Sequence, residues 1–321
     1  MSSLTVVPGD PPARLDVFLA QQLPNCSRRS AQRAIAAGTV RINGRRARKG
    51  QPVVGGDVIE FPNELVEERR LQPNPTLVIK VLYEDAALIA IDKPAGTPSH
   101  ALRADETGTA ANFLLAHYPE VAAVGKSDRE AGIVHRLDTD TSGVLLATRA
   151  RAAYRSLRQQ FATHHVTKDY VALVHGSVPR PGRICAPIVH DRRNRRRMIV
   201  CSGKQSAPHA RLAITDYRPV EHIGNHTVLA VRIATGGMHQ VRVHLAFIGH
   251  PLVGDSLYGG CAAAPGPRRH LLHAVRLRFT HPITGTPTII SSLLPADFAA
   301  FLNALRKDAG PQPLRRQPPG L

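Results

Sequence analysis

The feature that most narrows what this chain can become is the run at 132–143, GIVHRLDTDTSG, which passes without a break into VLLATR. Four apolar residues in succession, opened by a glycine, read as a short strand buried on both faces. The polar stretch before it sets an arginine and then an aspartate on a loop at the mouth of that strand. A carboxylate in such partly dry surroundings serves as nucleophile, general base or metal ligand, and its neighbours decide which.

Two metal-dependent readings fail on their own terms. Asp138, Asp140 and Ser142 followed by Gly143 copy the opening of an EF-hand loop, but the twelfth position is Arg149, where a calcium loop needs a bidentate Glu. Asp-Thr-Asp-Thr at 138–141 resembles the first motif of haloacid-dehalogenase-type phosphohydrolases. His135 and Arg136 interrupt the apolar strand that should precede it, and Gly259 stands where a second acid after Asp255 is wanted. Acids are too scarce elsewhere to rebuild a Mg²⁺ site.

The same run, with His135-Arg136-Leu137-Asp138 followed by Thr141-Ser142-Gly143, resembles the signature loop of the RluA family of pseudouridine synthases. The resemblance extends over about 77–302, with motifs in one order: YEDAALIAIDKPAG at 83–96, Lys168-Asp169-Tyr170 with Ala172, HQVRVH at 239–244, Gly254-Asp255 to Tyr258-Gly259, and His273-Ala274 with Leu277 before His281-Pro282. Two places depart from the pattern. Gly237 and Met238 stand where a cation and a polar residue are usual, and Ser99-His100-Ala101 stands where a His-Pro pair is common.

That resemblance implies an isomerisation needing no cofactor and no metal, consistent with a chain that has no Walker loop and no GxGxxG after a strand. It implies Asp138 as the catalytic carboxylate and Arg242 as its partner, a guanidinium able to offer two parallel hydrogen bonds and offset the cost of burying charge. Tyr170 is implied to stack on the uracil and is a candidate to move a proton late in the reaction. Arg136, two residues from Asp138, shares its side in an extended segment and is implied to fill the space an extruded uridine leaves. Leu137 is expected to point inward, and His135 to be a hydrogen-bonded structural residue beside the substrate.

Residues 1–62 carry a separate pattern. Helical spacing covers 14–22, Ser27 caps a second helix over 28–37 that Gly38 ends, and Asn43-Gly44 turns a hairpin from a strand at 40–42, with a return strand at 58–61. Nine Lys and Arg against four Asp and Glu give this unit +5, with Arg28, Arg29 and Arg33 on the second helix and Arg45, Arg46 and Lys49 around the hairpin. The segment from Arg14 to Phe61 resembles the S4 RNA-binding domain, which implies a grip on structured RNA through phosphates and shape. A second cationic run lies between 180 and 197, where seven Arg, among them Arg192, Arg193, Arg195 and Arg196, face one Asp; it is expected along an RNA backbone.

Downstream, strands are expected at 77–82, 87–91, 166–174 and 227–233, and helices at 108–117, 151–164 and 239–247. This interleaving without a βα repeat points to an α+β fold. With the resemblances, it becomes a mixed, mostly antiparallel catalytic sheet flanked by helices, plus a small S4-like (α-L) domain. The expected division is 1–62, a linker at 63–76, a catalytic domain at 77–305 and a disordered tail at 306–321. The 321 residues carry 42 Lys and Arg against 24 Asp and Glu, a net +18. Codon bias accounts for Arg over Lys but not for so few acids, so a polyanionic partner is indicated. That partner is expected to be RNA, with large-subunit rRNA favoured, tRNA the runner-up, and no DNA or membrane. The alternative class is a non-catalytic RNA-binding assembly factor. Four scattered cysteines without CxxC spacing speak against a zinc ribbon, and the lack of a signal pattern leads to the expectation of a cytoplasmic monomer.

Overall fold

The computed structural model describes residues 1–321 except 25, 67–70, 103–104, 128, 202–208, 261–265 and 310–321. The chain divides into two compact units, Met1–Arg70 and Leu71–Leu321. The stretch expected as a linker is partly built into them. Leu65, in the short 3₁₀ turn Asn63–Leu65, is buried in the first core, and Leu71 is buried in the second. The charges of this stretch masked those two anchoring leucines.

In the first unit, helices Leu15–Gln22 and Arg28–Ala37 bury Leu15, Phe18, Leu19, Ala31 and Ile35. Ser27 Oγ accepts the Ser30 amide at 3.1 Å, and Gly38 closes the second helix in the left-handed region at φ 72°. Asn43 and Gly44 both have positive φ, as a two-residue hairpin requires, and join strands Arg41–Ile42 and Arg45–Arg46. The sheet runs Ser2–Thr5, Val58–Phe61, Arg41–Ile42, Arg45–Arg46. The edge strand Ser2–Thr5 was not legible, because SSLT is too short and polar to carry a strand pattern.

The second unit is built on a nine-stranded sheet. Its order is Gly182–Cys185, Ile214–Ile223, His226–Ile233, Thr167–His175, Leu272–Thr280, Ser142–Thr148, Leu88–Lys93, Lys80–Glu84, with Pro287–Ser291 added beside Leu272–Thr280. Pairing is antiparallel except between Ser142–Thr148 and Leu272–Thr280, which run parallel. All seven residues of Ser142–Thr148 are buried. Alternation sends Leu145 and Ala147 into one core with helix Ala110–His117, and Val144 and Leu146 into another with helix Arg151–Ala162. The strand is thus covered on both sides, which explains its unbroken apolar reading.

Smaller differences have local causes. The first strand of this sheet is Lys80–Glu84 rather than 77–82; Leu77 and Ile79 still pack into the core, ahead of the ladder. The final helix, Ala296–Asp308, runs past the expected boundary at 305 because Phe298 and Leu302 anchor it in a core shared with Leu173 and Ile223. Residues 310–321 of the expected tail lie outside the described residues. No helix among the described residues is long and apolar enough to cross a membrane.

Candidate active site

The loop from His135 to Thr141 is held in place by its backbone. Ser99 Oγ donates to the Leu137 carbonyl at 2.9 Å and accepts the Leu137 amide at 3.0 Å. Lys93, 0% exposed, donates to the carbonyls of Pro94, Thr97 and Thr139 at 2.9, 2.7 and 2.9 Å. Three acceptors match the three protons of an ammonium, so this buried lysine is satisfied without a counter-ion. Burial still pulls its pKa down to about 7, against the upward pull of Asp138 and Asp140. Thr141 Oγ1 and Ser142 Oγ lie 2.8 and 3.0 Å from ring nitrogens of His270 and His273. Gly143, at φ 115°, lies against Ala274, where a Cβ would collide with the carbonyl. The Thr-Ser-Gly of the motif is therefore what lets a loop enter a parallel strand pair beside two buried histidines.

Asp138 stands at the end of this loop with its side chain 20% exposed. Arg242 Nη1 donates to Asp138 Oδ2 at 3.0 Å. The two parallel hydrogen bonds expected between these residues are not there. The fork goes instead to Asp255, with Nε to Oδ2 at 2.7 Å and Nη2 to Oδ1 at 2.9 Å. The Asp255 side chain is fully buried, and burial would push its carboxyl up; the Arg242 hydrogen bonds outweigh this and hold it below the carboxylate range. The same pair works on the cation. Burial pulls the guanidinium down, and Asp255 and then Asp138 more than restore it. One arginine is thus locked by a buried acid and presents one remaining N–H to a more open one.

His239 and Tyr258 extend the arrangement. His239 precedes helix Gln240–Phe247 in the left-handed region at φ 53°, rather than beginning the helix. Its Nε2 lies 3.9 Å from Asp138 Oδ2, and its Nδ1 lies 3.0 Å from the Tyr258 hydroxyl. Burial lowers the His239 pKa against the upward pull of Asp138, so the ring is neutral. The Tyr258 hydroxyl accepts the Met198 amide at 2.8 Å, and its ring has the guanidiniums of Arg242 and Arg197 at 5.2 and 5.5 Å. Met198 opens the return strand of hairpin Ile188–His190/Met198–Val200. The turn of that hairpin carries Arg192, Arg193, Arg195 and Arg196, all exposed. The second cationic run therefore hangs beside the Asp138 site. Gly237, the departure before His239, packs against the Ile188 side chain of the same hairpin, where a Cβ would clash.

Tyr170 is buried on Thr167–His175, in register with Val231 and Ala274 and in one core with Leu137. Burial, then Asp138, pushes its hydroxyl well above the ordinary phenol value. Leu137 is 4% exposed. His135 Nε2 accepts the Leu146 amide at 3.1 Å and the ring stacks on Phe161, so it supports the central strand. Arg136 is exposed and lines a cavity with His100, His135 and Arg158, and it is near enough to His239 to act on that ring electrostatically.

In the first unit, Arg29, Arg33, Arg45, Arg46 and Lys49 are exposed. Arg28 is partly spent: its Nε donates to Asp16 Oδ2 at 2.7 Å, tying the two helices together. Sequence reasoning missed the role of Asp255, and it gave none to Lys93, His239 or Tyr258. All four lie inside the motifs quoted above, which was the available signal.

Comparisons with known proteins give the family. The RNA pseudouridylate synthase family matches residues 87–247, and the S4 domain matches residues 13–59. The chain is similar to "Ribosomal large subunit pseudouridine synthase D" of Vibrio parahaemolyticus, at 36% identity over 92% of this chain and 91% of that protein. It is 41% identical to an "Uncharacterized RNA pseudouridine synthase" of Chloroflexus aurantiacus, over 95% of this chain and 94% of the other. Among solved structures, "Human RNA Pseudouridylate Synthase Domain Containing 1" aligns with a TM-score of 0.54 at 26% identity, covering 76% of this chain and 100% of that one. With the Asp138–Arg242–Asp255 cluster at the end of its signature loop, and an S4 domain ahead of it, this chain belongs to the RNA pseudouridylate synthase family.

Proposed function

We propose that this pseudouridine synthase modifies particular uridines of large-subunit ribosomal RNA, with Asp138 as nucleophile. The observation that carries the assignment to Asp138 is its unequal share of Arg242. Asp255 takes the fork, and Asp138 accepts a single hydrogen bond among the described residues, leaving carboxylate lone pairs free at a partly open position. The substrate reading is supported by relatives whose names specify the large ribosomal subunit, and by exposed arginines on both units.

The reaction breaks the N1–C1′ bond of uridine, turns the base, and joins C5 to C1′; the C5 proton leaves and N1 gains one. Asp138 attacks the nucleotide, while Arg242 holds the carboxylate in place and Asp255 holds Arg242. Tyr170 offers its ring to the uracil face. With its hydroxyl kept protonated, it serves as a flat surface and hydrogen-bond donor rather than as the base for the C5 proton. Arg136, exposed and without an ion pair among the described residues, takes the vacated place in the RNA stack and offsets an extrusion cost of a few kcal/mol. The enzyme acts as a cytoplasmic monomer on RNA.

Pseudouridine mapping across total RNA in a strain lacking this gene tests the reading. One or a few positions in large-subunit rRNA should revert to uridine. Loss confined to tRNA would reassign the substrate, and an unchanged map would refute the activity in that organism.

A further inference from the structure

Behind Arg136 lies a cavity of about 360 Å³ that the chemistry at Asp138 does not use. Among the described residues its wall carries Arg129, Arg136 and Arg158, the rings of His100 and His135, and one carboxylate, Glu130. Glu130 is committed: its Oε2 accepts the Tyr154 hydroxyl and the Lys126 amide at 2.6 and 2.7 Å. Among the described residues the arginines are not saturated. Arg158 and Arg129 each give one N–H to a backbone carbonyl, of Val134 and Leu102. Arg136 makes no side-chain hydrogen bond among the described residues. His100 Nε2 and His135 Nδ1 are buried with no hydrogen-bond partner among the described residues. Because His135 Nε2 accepts the Leu146 amide, its proton sits on Nδ1, a donor without an acceptor among the described residues. Buried donors of this kind are rare in folded proteins and ask for an explanation.

We propose that this cavity is a second RNA subsite, which takes the base of a nucleotide neighbouring the target uridine on the far side of Arg136. The inference rests on the reading of Arg136 as the residue that replaces the extruded uridine. The volume lies at the small end of ligand sites, about 300–1,000 Å³, so it suits one base and its sugar rather than a run of chain. The wall favours a base over a phosphate. Burial lowers the His100 pKa to about 4 and the His135 pKa to about 3, so both rings are neutral, and Glu130 would repel an anion. Neutral ring faces and partly free guanidiniums suit the flat surface and acceptor edge of a base. Arg136, at the exposed rim, stands between this wall and the place the uridine leaves. Ser99, one residue before His100, is bonded to Leu137, so this wall and the signature loop are braced together.

A coupling experiment tests this. A hairpin substrate carrying the mapped uridine is made with an abasic site at each of the neighbouring positions in turn, and KM and kcat for pseudouridine formation are measured. Ser127→Trp places a bulky ring on the exposed rim without burying it, and His100→Phe removes a donor while keeping ring volume. One abasic position should raise the wild-type KM about 10-fold with kcat retained, the loss of one stacked base. Ser127→Trp should raise KM similarly on the intact hairpin. The two together should cost no more than either alone, and His100→Phe should weaken the dependence on that same position. Fully multiplicative losses, or no sensitive position, would overturn the subsite. Turnover of the intact hairpin by the wild type reports separately on the synthase reading, which survives that outcome.

Discussion

In the first unit one carboxylate is served by several donors. Asp16 accepts Arg14 Nε at 3.0 Å, Arg28 Nε at 2.7 Å and Gln32 Nε2 at 2.7 Å, with its side chain 2% exposed. In the second unit one donor group serves two carboxylates, and the shares are unequal: Arg242 gives its fork to Asp255 and one N–H to Asp138. Both clusters are partly buried ion networks, yet they do opposite work. Burial would push the Asp16 carboxyl up; the hydrogen bonds from Arg14, Arg28 and Gln32 outweigh it and hold it far below the carboxylate range. A carboxylate with its lone pairs filled joins helices and does no chemistry. One left under-supplied, beside a cation that is itself immobilised, is free to meet a substrate.

The largest effect that follows is at Asp138. Asp138→Asn should lower pseudouridine formation by at least about 10³-fold while RNA binding, read by filter retention, is kept. Appreciable residual turnover would refute the nucleophile. Next comes the partner that the comparison singles out. Asp255→Asn removes the acid that locks Arg242, leaving a buried guanidinium short of a partner. It should destabilise the second unit by about 3–5 kcal/mol in urea unfolding. It should also slow the reaction about 10²-fold through misplacement of Asp138's partner. Asp16→Asn should cost less, about 1–2 kcal/mol, since both of its arginines are half exposed and can rehydrate. It should leave the rate at saturating RNA untouched. A fall in that rate equal to the one from Asp255→Asn would erase the distinction between the two clusters.

Why the motif was legible and its wiring was not is clear from single residues. Gly143 has one conformation and one neighbour that demand it, and Ser142 and Thr141 meet histidines in a parallel strand pair; such local demands leave a compact string in the sequence. The apolar run of Ser142–Thr148 and the Asn43-Gly44 turn were readable for the same reason. The Arg242 fork was not. Asp255 and Asp138 are both acids at plausible distance along the chain, and nothing in their spacing ranks them; the choice is made by burial, which the fold decides. Lys93 reads as an ordinary cation, and its three carbonyl acceptors come from Pro94, Thr97 and Thr139, the last of them far along the chain. Likewise Arg28 looks like one more exposed cation until helix packing brings Asp16 beneath it.

The two units should also part company in acid. All 16 histidines lie beyond residue 70. Burial lowers the pKa values of His100, His135 and His270 to about 4, 3 and 4. The folded second unit therefore keeps them neutral where the unfolded chain, with values near 6.5, binds protons. Stability is present above about pH 6.5 and falls as pH drops from there toward 4, each ring contributing up to about 1.4 kcal/mol per unit. The first unit lacks such groups, and its depressed acid, Asp16, gives up stability only below the ordinary carboxylate range. Hydrogen exchange at pH 7 and pH 5 should show protection lost across the second unit and retained in residues 1–70. Uniform loss would contradict the assignment of acid sensitivity to the buried histidines.

The smallest effect separates two adjacent arginines. Arg28 and Arg29 open the same helix, and the sequence offers no reason to treat them differently. Arg28 has its Nε on Asp16, whereas Arg29 is exposed without an ion pair among the described residues. A guanidinium already neutralised by an acid displaces fewer counterions from RNA than a free one. Arg29→Ala should therefore lower the slope of log K against log salt by close to 1, with stability unchanged within about 0.5 kcal/mol. Arg28→Ala should lower the slope less and instead loosen the pairing of the two helices, by about 1 kcal/mol. Equal slope changes from both would mean that Asp16 does not spend the Arg28 charge in the complex, and the contrast drawn between filled and unfilled carboxylates would lose its simplest measure.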